Sequence, residues 1–217
     1  MEIKLINRPA SLLNNFVAEI RDQKIQQDPL RFRRNLERIG EIFAYEISKT
    51  FNYEEKEIQT PLGIAKEFIL QEQVVLASIL RAGIPLHNGL LNYFDRAENA
   101  FISAYRKYTE DGHFDIHIEY ISAPDLTGKT LILADPMLAT GSSLELATKA
   151  LKSNGKPAHV HMVSIIASQA GVDYVTNMLA GEPVTLWLAG IDEELNAKSY
   201  IIPGLGDAGD LAYGAKL

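Results

Sequence analysis

The stretch Thr130-Leu131-Ile132-Leu133-Ala134 predicts a strand buried on both faces of a sheet, because an unbroken apolar run is typical of strands inside a parallel sheet. A loop over residues 135–143 follows this strand. A helix is then predicted from Leu144 to about Lys152, before Asn154-Gly155. Strand, loop and helix in this order form the repeating unit of an α/β protein, so the stretch predicts that fold class if the rest of the chain repeats it.

The rest of the chain does alternate between strands and helices. Further strands are predicted at 74–80, 100–105, 160–166 and 184–189, and further helices at 85–94 and near 172–179. Apolar and polar residues alternate between Phe114 and Tyr120, which predicts a half-exposed strand in a β-hairpin arm (about 104–121) that closes over the site. The predicted fold class is therefore α/β, a mostly parallel sheet with helices on both faces.

The N-terminal part of the chain predicts one long helix. Asp28 and Pro29 suit its N-cap and first position, and its apolar residues recur three or four apart up to about Lys49. Three arginines fall in its first turns, and we interpret them as solvated or subunit-facing charges rather than a ligand patch: Arg31, Arg33 and Arg34.

The composition is that of a folded globular protein, since 47% of the 217 residues are hydrophobic and 23% are charged. No repeat or linker divides the chain. We therefore expect a single domain over 1–217, with an N-terminal helical segment (about 1–50) and a catalytic core (about 70–217). The formal net charge of −7 argues against nucleic acid as a partner, although a few local arginines could still hold a small anion. The absence of cysteine excludes disulfides, thiolate zinc sites and thiol nucleophiles.

The sequence has no feature typical of a membrane or secreted protein. It contains no apolar run of the roughly 18 residues that a membrane-spanning helix needs, and its first residues do not resemble a signal peptide. We therefore expect no membrane contact and a cytoplasmic location.

The predicted loop after the buried strand has groups that suit a phosphate. It begins at Asp135, which could accept hydrogen bonds from sugar hydroxyls, and it ends in small and hydroxylated residues: Thr140, Gly141, Ser142 and Ser143. Backbone N–H groups at a helix start, together with the positive end of the helix dipole, bind anions. Ser142 and Ser143 would equally suit the N-cap of that helix, so the composition leaves both roles open.

A second stretch, Ile79-Leu80-Arg81-Ala82-Gly83, ends the strand predicted at 74–80. Ligands of open α/β sheets bind at the carboxyl ends of the strands. There, an arginine beside a tight glycine turn could contact a pyrophosphate. Taken alone, the stretch favours a plain surface arginine at a strand end.

A third stretch, residues 200–210, is rich in glycine. Gly204, Gly206 and Gly209 have the spacing of the dinucleotide fingerprint G-x-G-x-x-G, but that motif needs a following helix and a second strand, about 30 residues in all. Only eight residues follow Gly209, so we reject this interpretation. What remains is a loop whose backbone is accessible to a small ligand.

The other polar residues predict no separate site. The histidines have no metal-ligand spacing, and His159 and His161 on one strand face are interpreted as packing or solvent-contacting residues rather than metal ligands. Trp187 is expected in the core. The acidic run Asp192-Glu193-Glu194 is interpreted as a solvated turn rather than a metal site.

Together, the three stretches resemble the motifs of uracil phosphoribosyltransferases, in the same order. Residues 135–143 resemble the loop that binds 5-phosphoribosyl 1-pyrophosphate (PRPP). Pro136 stands where other phosphoribosyltransferases have a second acid, and Ser142 where this group often has a glycine. Residues 79–83 resemble the pyrophosphate loop, and residues 200–210 resemble the uracil site.

The resemblance implies the phosphoribosyltransferase fold and the reaction of uracil with PRPP to give UMP and pyrophosphate. It implies four catalytic residues, all of them PRPP contacts: Arg81, Arg106, Asp135 and Asp207. The remaining PRPP contacts that it implies are Pro136, Met137, Leu138, Ala139, Thr140, Gly141, Ser142 and Ser143. The uracil contacts that it implies are Ile201, Gly206, Asp207 and Ala208, with the base bound mainly by backbone groups.

The resemblance also implies Mg²⁺ bound through PRPP, with no direct protein ligand. A homo-oligomer of at least two chains is expected, with GTP or UTP as candidate effectors. Two other classes of function stay open: a regulatory RNA-binding protein on the same fold, which the acidic charge disfavours, and a nucleotide sensor without turnover.

Overall fold

The protein is described from a computed structural model, which covers residues 1–108 and 114–216, with side chains outside 104–118. The strands within these residues are β1 (Glu2–Leu5), β2 (Tyr53–Thr60), β3 (Gly63–Leu70), β4 (Val74–Leu80), β5 (Glu98–Tyr108), β6 (Phe114–Ser122), β7 (Thr130–Ala134), β8 (Met137–Leu138), β9 (His159–Ser168), β10 (Val184–Asp192), β11 (Glu194–Leu195) and β12 (Ile201–Ile202). The α-helices are α1 (Leu12–Arg21), α2 (Pro29–Ser48), α3 (Gly83–Tyr93), α4 (Ser142–Leu151), α5 (Gln169–Met178) and α6 (Ala208–Tyr213).

The central sheet has the strand order β1-β10-β9-β7-β4-β5-β6, and the short β8 pairs with β9. All neighbours in this sheet are parallel except β5 and β6, which form an antiparallel pair. The predicted α/β class with a mostly parallel sheet is thus confirmed, and so is the hairpin formed by β5 and β6. The tip of that hairpin, and with it the predicted position of the arm over the site, lies outside the described residues.

Helices cover both faces of the sheet because alternate strand residues point to opposite sides. Leu76 and Ile132 face one cluster of buried residues, which includes side chains of α1, α2, α3 and α6. Leu131 and Leu133 face the other cluster, which includes side chains of α4 and α5. The central strands are buried on both sides, as their unbroken apolar sequence predicts.

The N-terminal part of the chain is joined to this sheet. β1 lies beside β10 in parallel, and the predicted long helix is observed as α2, with the Asp28 side chain accepting hydrogen bonds from the N–H groups of Leu30 and Arg31. Arg31 is paired with Glu19 on α1 at 2.7 Å. Among the helices that the structure describes, none is long and apolar enough to cross a membrane.

A second hairpin, β2 and β3, projects with nearly all of its side chains exposed and was not predicted from the sequence. Exposure on both faces leaves no alternation of polar and apolar residues to detect. The usable signal was its turn, Thr60-Pro61-Leu62-Gly63, since proline and glycine favour the second and fourth positions of a tight turn.

Candidate functional site

The first two predicted loops leave the same edge of the sheet. β4 and β7 are parallel neighbours with Ser78 opposite Ala134, so the loop that carries Arg81 begins beside the loop that begins at Asp135. A side chain at Gly83 would lie 2.5 Å from Ser78 Oγ and 3.0 Å from the Ala134 carbonyl oxygen. A larger residue would not fit here without a shift, so Gly83 allows the first loop to pack closely against the ends of β4 and β7.

The first half of the predicted PRPP loop is bound to the sheet. The Pro136 carbonyl accepts hydrogen bonds from the N–H groups of Ile165 and Ile166 at 3.0 and 3.1 Å. Met137 and Leu138 form β8, and the Leu138 side chain is buried. These residues therefore fix the path of the loop, while Asp135, whose Oδ1 accepts a bond from the Met137 N–H at 3.3 Å, stays at the strand end.

The second half of the loop leads into the first turn of α4. Gly141 is the N-cap, with a φ of +88° that few other residues adopt, and as glycine it has no side chain to cap the helix. Ser142 and Ser143 are the first two helical residues, so the alternative N-cap role for these serines is wrong. Thr140 Oγ1 lies 3.0 Å from Ser142 Oγ. Hydroxyl groups and a helix N-terminus therefore meet here, as an anion site requires.

A serine on β9, which was not predicted from the sequence, supports this loop. Ser168 Oγ donates to the Ala139 carbonyl at 2.6 Å and accepts from the Gly171 N–H at 2.9 Å. A side chain at Gly171 would lie 2.3 Å from the Ala139 oxygen. The sequence signal was a serine at the start of α5 followed by a glycine, which is common at helix starts and so was not distinctive.

Arg81 follows a cis Leu80–Arg81 peptide and points to the C-terminal part of the chain. Its Nη2 donates to Asp210 Oδ1 at 3.2 Å and to the Gly214 carbonyl at 3.1 Å. A side chain at Gly209 would come within 3.9 Å of Ala82. The predicted pyrophosphate loop thus contacts α6 and the residue after it, directly beyond the predicted uracil loop.

The predicted uracil loop, residues 201–208, is shorter than the glycine-rich stretch 200–210. Its first residue, Ile201, lies in β12, which pairs with β11, and its last, Ala208, begins α6. Gly204 and Gly206 have φ values of +55° and +94°. Ile201 and Ala208 are buried, and Gly206 is exposed. A helix does follow the glycines, but up to residue 216 no strand follows it, so rejection of the dinucleotide motif stands.

Asp207 is the N-cap of α6. Its Oδ1 accepts from the Asp210 N–H at 2.9 Å, and its Oδ2 accepts from Lys216 Nζ at 3.2 Å. Burial acts to raise the pKa of Asp207, but the Asp210 N–H and the Lys216 ammonium group outweigh burial and hold the pKa below its ordinary value. The carboxylate is therefore ionised at neutral pH. Lys216 was not predicted from the sequence as a site residue.

Two further predictions concern Arg106 and the acidic run 192–194. The backbone of Arg106 is paired with Ile116 across the β5–β6 hairpin, but its side chain lies outside the described part, and its predicted PRPP contact stays a prediction. The solvated turn predicted at 192–194 is wrong for Asp192, which is buried and paired with Arg21 at 2.8 Å. Only Glu193 and Glu194 are exposed.

The predicted Mg²⁺ fits the carboxylates at this edge. Mg²⁺ keeps several waters and is bound through one or two carboxylates plus substrate phosphates rather than by a cage of protein ligands. Asp135 and Asp207 supply single carboxylates beside the predicted PRPP site. The described residues contain no group of three or more metal-ligating side chains.

The family model for uracil phosphoribosyltransferase matches residues 8–215 of the chain. A uracil phosphoribosyltransferase of Porphyromonas gingivalis is 58% identical over 217 residues, covering 100% of both chains. One from Methanothermobacter thermautotrophicus is 41% identical over 189 residues, covering 86% of this chain and 85% of the relative.

Solved structures agree with these matches. A protein of Aquifex aeolicus superposes with a TM-score of 0.87 at 33% identity, over 99% of each chain. A hypoxanthine phosphoribosyltransferase of Staphylococcus aureus superposes with a TM-score of 0.50 at 12% identity, over 75% of this chain and 76% of that one, which bears on the fold alone. With the motifs at one edge of the sheet and a family model matching nearly the whole chain, the protein belongs to the uracil phosphoribosyltransferase family.

Proposed function

We propose that the protein transfers the 5-phosphoribosyl group of PRPP to N1 of uracil, giving UMP and pyrophosphate. The observation that carries this proposal is the meeting of the three motif loops at one sheet edge. Ser78 and Ala134 pair just before the first two loops, and Arg81 bonds to Asp210 just after the third. These contacts support a proposed anion site beside a proposed base site that is lined by backbone groups.

The roles follow from the chemistry of each group. The N–H groups and hydroxyls from Thr140 to Ser143 would bind the 5′-phosphate, and Asp135 would accept hydrogen bonds from the ribose hydroxyls. Arg81 and Arg106 would neutralise the charge that develops on the leaving pyrophosphate. Positioning of the reactants and stabilisation of the leaving group then account for most of the catalysis.

Uracil would be bound by main-chain groups of Ile201, Gly206 and Ala208, with Asp207 between the base and PRPP. Glycines with a positive φ turn backbone groups in directions that other residues rarely allow, so this loop can offer donors and acceptors without side chains. The edge of uracil presents an acceptor, a donor and an acceptor. The edge of cytosine differs, and a site matched to uracil would leave buried groups unpaired with it.

We propose that Mg²⁺ enters with PRPP, near Asp135 and Asp207. When bound, the ion would neutralise the negative charge of the pyrophosphate. The Asp207 carboxylate is ionised at neutral pH, so its negative charge would favour a divalent cation that is bound through PRPP rather than directly to the protein.

Three further predictions concern the whole chain. We propose a homo-oligomer of at least two copies, which is supported by the exposed apolar side chains of the β2–β3 hairpin, Leu62, Ile64 and Phe68. A single domain over 1–217 is supported by the pairing of β1 with β10. The cytoplasmic location and an effector role for GTP or UTP stay predictions.

The decisive experiment measures pyrophosphate release from PRPP and Mg²⁺ with a panel of bases: uracil, cytosine, hypoxanthine, adenine and orotate. We expect release with uracil alone. Binding of uracil and PRPP without release would favour a nucleotide sensor. Release with a purine base or with orotate instead of uracil would refute the proposed function.

A further inference from the structure

A partly buried ion pair is hydrogen-bonded to the peptide groups of Gly204, within the predicted uracil loop. Arg21 contacts Asp192 through two bonds, from Nη1 to Oδ2 at 2.8 Å and from Nη2 to Oδ1 at 2.9 Å. Asp192 Oδ2 also accepts from the Gly204 N–H at 2.9 Å. Arg21 Nη1 also donates to the Gly204 carbonyl at 3.0 Å. Both polar groups of one residue are thus bonded to the two members of one ion pair.

Gly204 lies where the chain turns after β12. Gly204 has a φ of +55°, and a side chain there would lie 2.2 Å from the Ile201 carbonyl oxygen. No other residue fits this turn without displacing the backbone. The orientation of the Gly204 peptide groups therefore determines the direction in which the chain leaves Ile201.

Arg21 and Asp192 come from elements that are fixed in the fold. Arg21 is the last residue of α1, whose Leu13 and Ile20 are fully buried, and Asp192 is the last residue of β10 in the central sheet. Asp192 itself is only 8% exposed. The pair thus connects the loop to the helical layer and to the sheet at the same point.

We infer that Arg21 and Asp192 are positioning residues for base recognition, an inference that rests on the proposed binding of uracil between Ile201 and Ala208. A loop that binds its ligand through main-chain groups cannot adjust by changing a side-chain rotamer. Its affinity depends on the orientation of its peptides, and the ion pair fixes that orientation at Gly204. This ion pair is by itself weak evidence for stability, because the cost of burying the Asp192 carboxylate and part of Arg21 offsets their attraction. A role in positioning accounts better for its placement.

The test compares Arg21→Met and Asp192→Asn with a matched control, Arg31→Met. Arg31 also forms a two-bond pair with a carboxylate, Glu19 of α1, but its pair does not contact the loop. Arg21→Lys serves as the milder variant, because it keeps the charge and loses the fork of two donors. If Arg21→Met does not fold, Arg21→Lys replaces it.

Two readouts are measured. Amide hydrogen exchange in residues 204–207 of the ligand-free protein reports whether the pair holds the loop, and steady-state kinetics give KM for uracil, KM for PRPP and kcat. We expect at least tenfold faster exchange and at least a tenfold rise in KM for uracil in Arg21→Met and Asp192→Asn. KM for PRPP should stay within twofold, Arg31→Met should match the unsubstituted protein, and Arg21→Lys should lie between.

Unchanged exchange or an unchanged KM for uracil in folded variants would overturn the inference. So would equal rises in both KM values, because general destabilisation affects both sites. Failure of the proposed function is a different result, namely an unsubstituted protein that does not consume uracil. In that case the exchange data still decide whether the pair holds the loop.

Discussion

Arg81 and Asp210 form an ion pair, with 3.2 Å between Arg81 Nη2 and Asp210 Oδ1. The two side chains are 40% and 37% exposed, so the pair is open to solvent and contributes at most about 1 kcal/mol to stability. In the proposed function, a pyrophosphate, which carries more negative charge than one carboxylate, would replace Asp210 as the partner of Arg81. The pair therefore keeps the Arg81 side chain at the site edge without committing it.

Replacing Arg81 with alanine should lower activity far more than stability. Loss of a charge-assisted contact to the leaving group is expected to cost about 1.5–3 kcal/mol, a fall in kcat/KM of roughly 10- to 150-fold. The melting temperature should change little because the lost ion pair is exposed. Lys152→Ala is the matched control, since Lys152 forms an ion pair of the same length with Glu182. Normal kcat/KM in folded Arg81→Ala protein would refute the assignment.

Replacing Asp207 with alanine should impair turnover more than uracil affinity, because we place this carboxylate on the sugar side of the base. The substitution also removes the N-cap of α6, at a cost of about 0.5–2 kcal/mol. Asp207→Asn separates the two effects, since the amide oxygen can still accept from the Asp210 N–H. We expect a low kcat in both variants and a lower melting temperature in Asp207→Ala alone. An Asp207→Asn variant with full kcat would contradict the role.

A buried histidine makes the stability of the protein depend on pH. Burial, with smaller effects from His159 and Lys4, lowers the pKa of His161 to about 3, and its Nδ1 accepts from Trp187 Nε1 at 3.0 Å. Below about pH 6.5 the unfolded chain binds a proton that the folded chain does not, so stability is lost as pH falls from about 6.5 toward 3.

The loss attributable to His161 is on the order of 2 kcal/mol between pH 7 and pH 5. His161→Gln keeps an acceptor for Trp187 and does not titrate, so its stability should fall less between these two pH values. Urea unfolding at both pH values measures the difference. An equal fall in the variant would show that His161 does not cause the dependence.

The features that the sequence predicted correctly are local ones. A buried strand needs an apolar run such as Thr130–Ala134, and this signal lies within the element itself. The helix α4 was also predicted, although it begins at Ser142 rather than at the predicted Leu144. Asp192 shows the opposite case. Its neighbours Glu193 and Glu194 are exposed, and its burial depends on Arg21, which lies 171 positions earlier in the chain. Nothing in the local composition indicates such a partner.

The same distinction between local features and contacts with distant residues applies to the candidate site. The three motif stretches could be found from their composition and spacing, but the contacts between them could not. Lys216 bonds to Asp207 because α6 ends in a turn at Gly214, which has a φ of +87°. The position of that lysine depends on how the helix packs against α2, where Arg33 donates to the Ala212 carbonyl at 2.6 Å. Packing of this kind is decided by the assembled core rather than by the local sequence.

Replacing Gly206 with valine should abolish uracil binding and leave PRPP binding nearly intact. Gly206 has a φ of +94°, a conformation that a β-branched residue rarely adopts, so the substitution must turn the peptides that we assign to the base. The nearest side-chain atom to an added Cβ would be Leu211 Cδ1 at 4.0 Å, so the substitution would not disturb core packing. The expected loss of uracil binding comes from backbone strain and from a valine side chain that would lie where we place the base. The phosphate loop around Gly141 belongs to another part of the chain.

Gly181→Val is the control for strain alone. Gly181 has a φ of +81° with nothing within 4 Å of an added Cβ, and it lies between α5 and β10, where we assign no ligand contact. Both variants should lose a similar amount of stability, while only Gly206→Val should lose uracil binding in isothermal titration. Discrimination is measured with cytosine, which we expect the unsubstituted protein to use up to about 10⁴-fold less well than uracil, because its edge leaves buried backbone groups unpaired. Unaltered uracil affinity in Gly206→Val, or comparable rates with the two bases, would place the base site elsewhere in the protein.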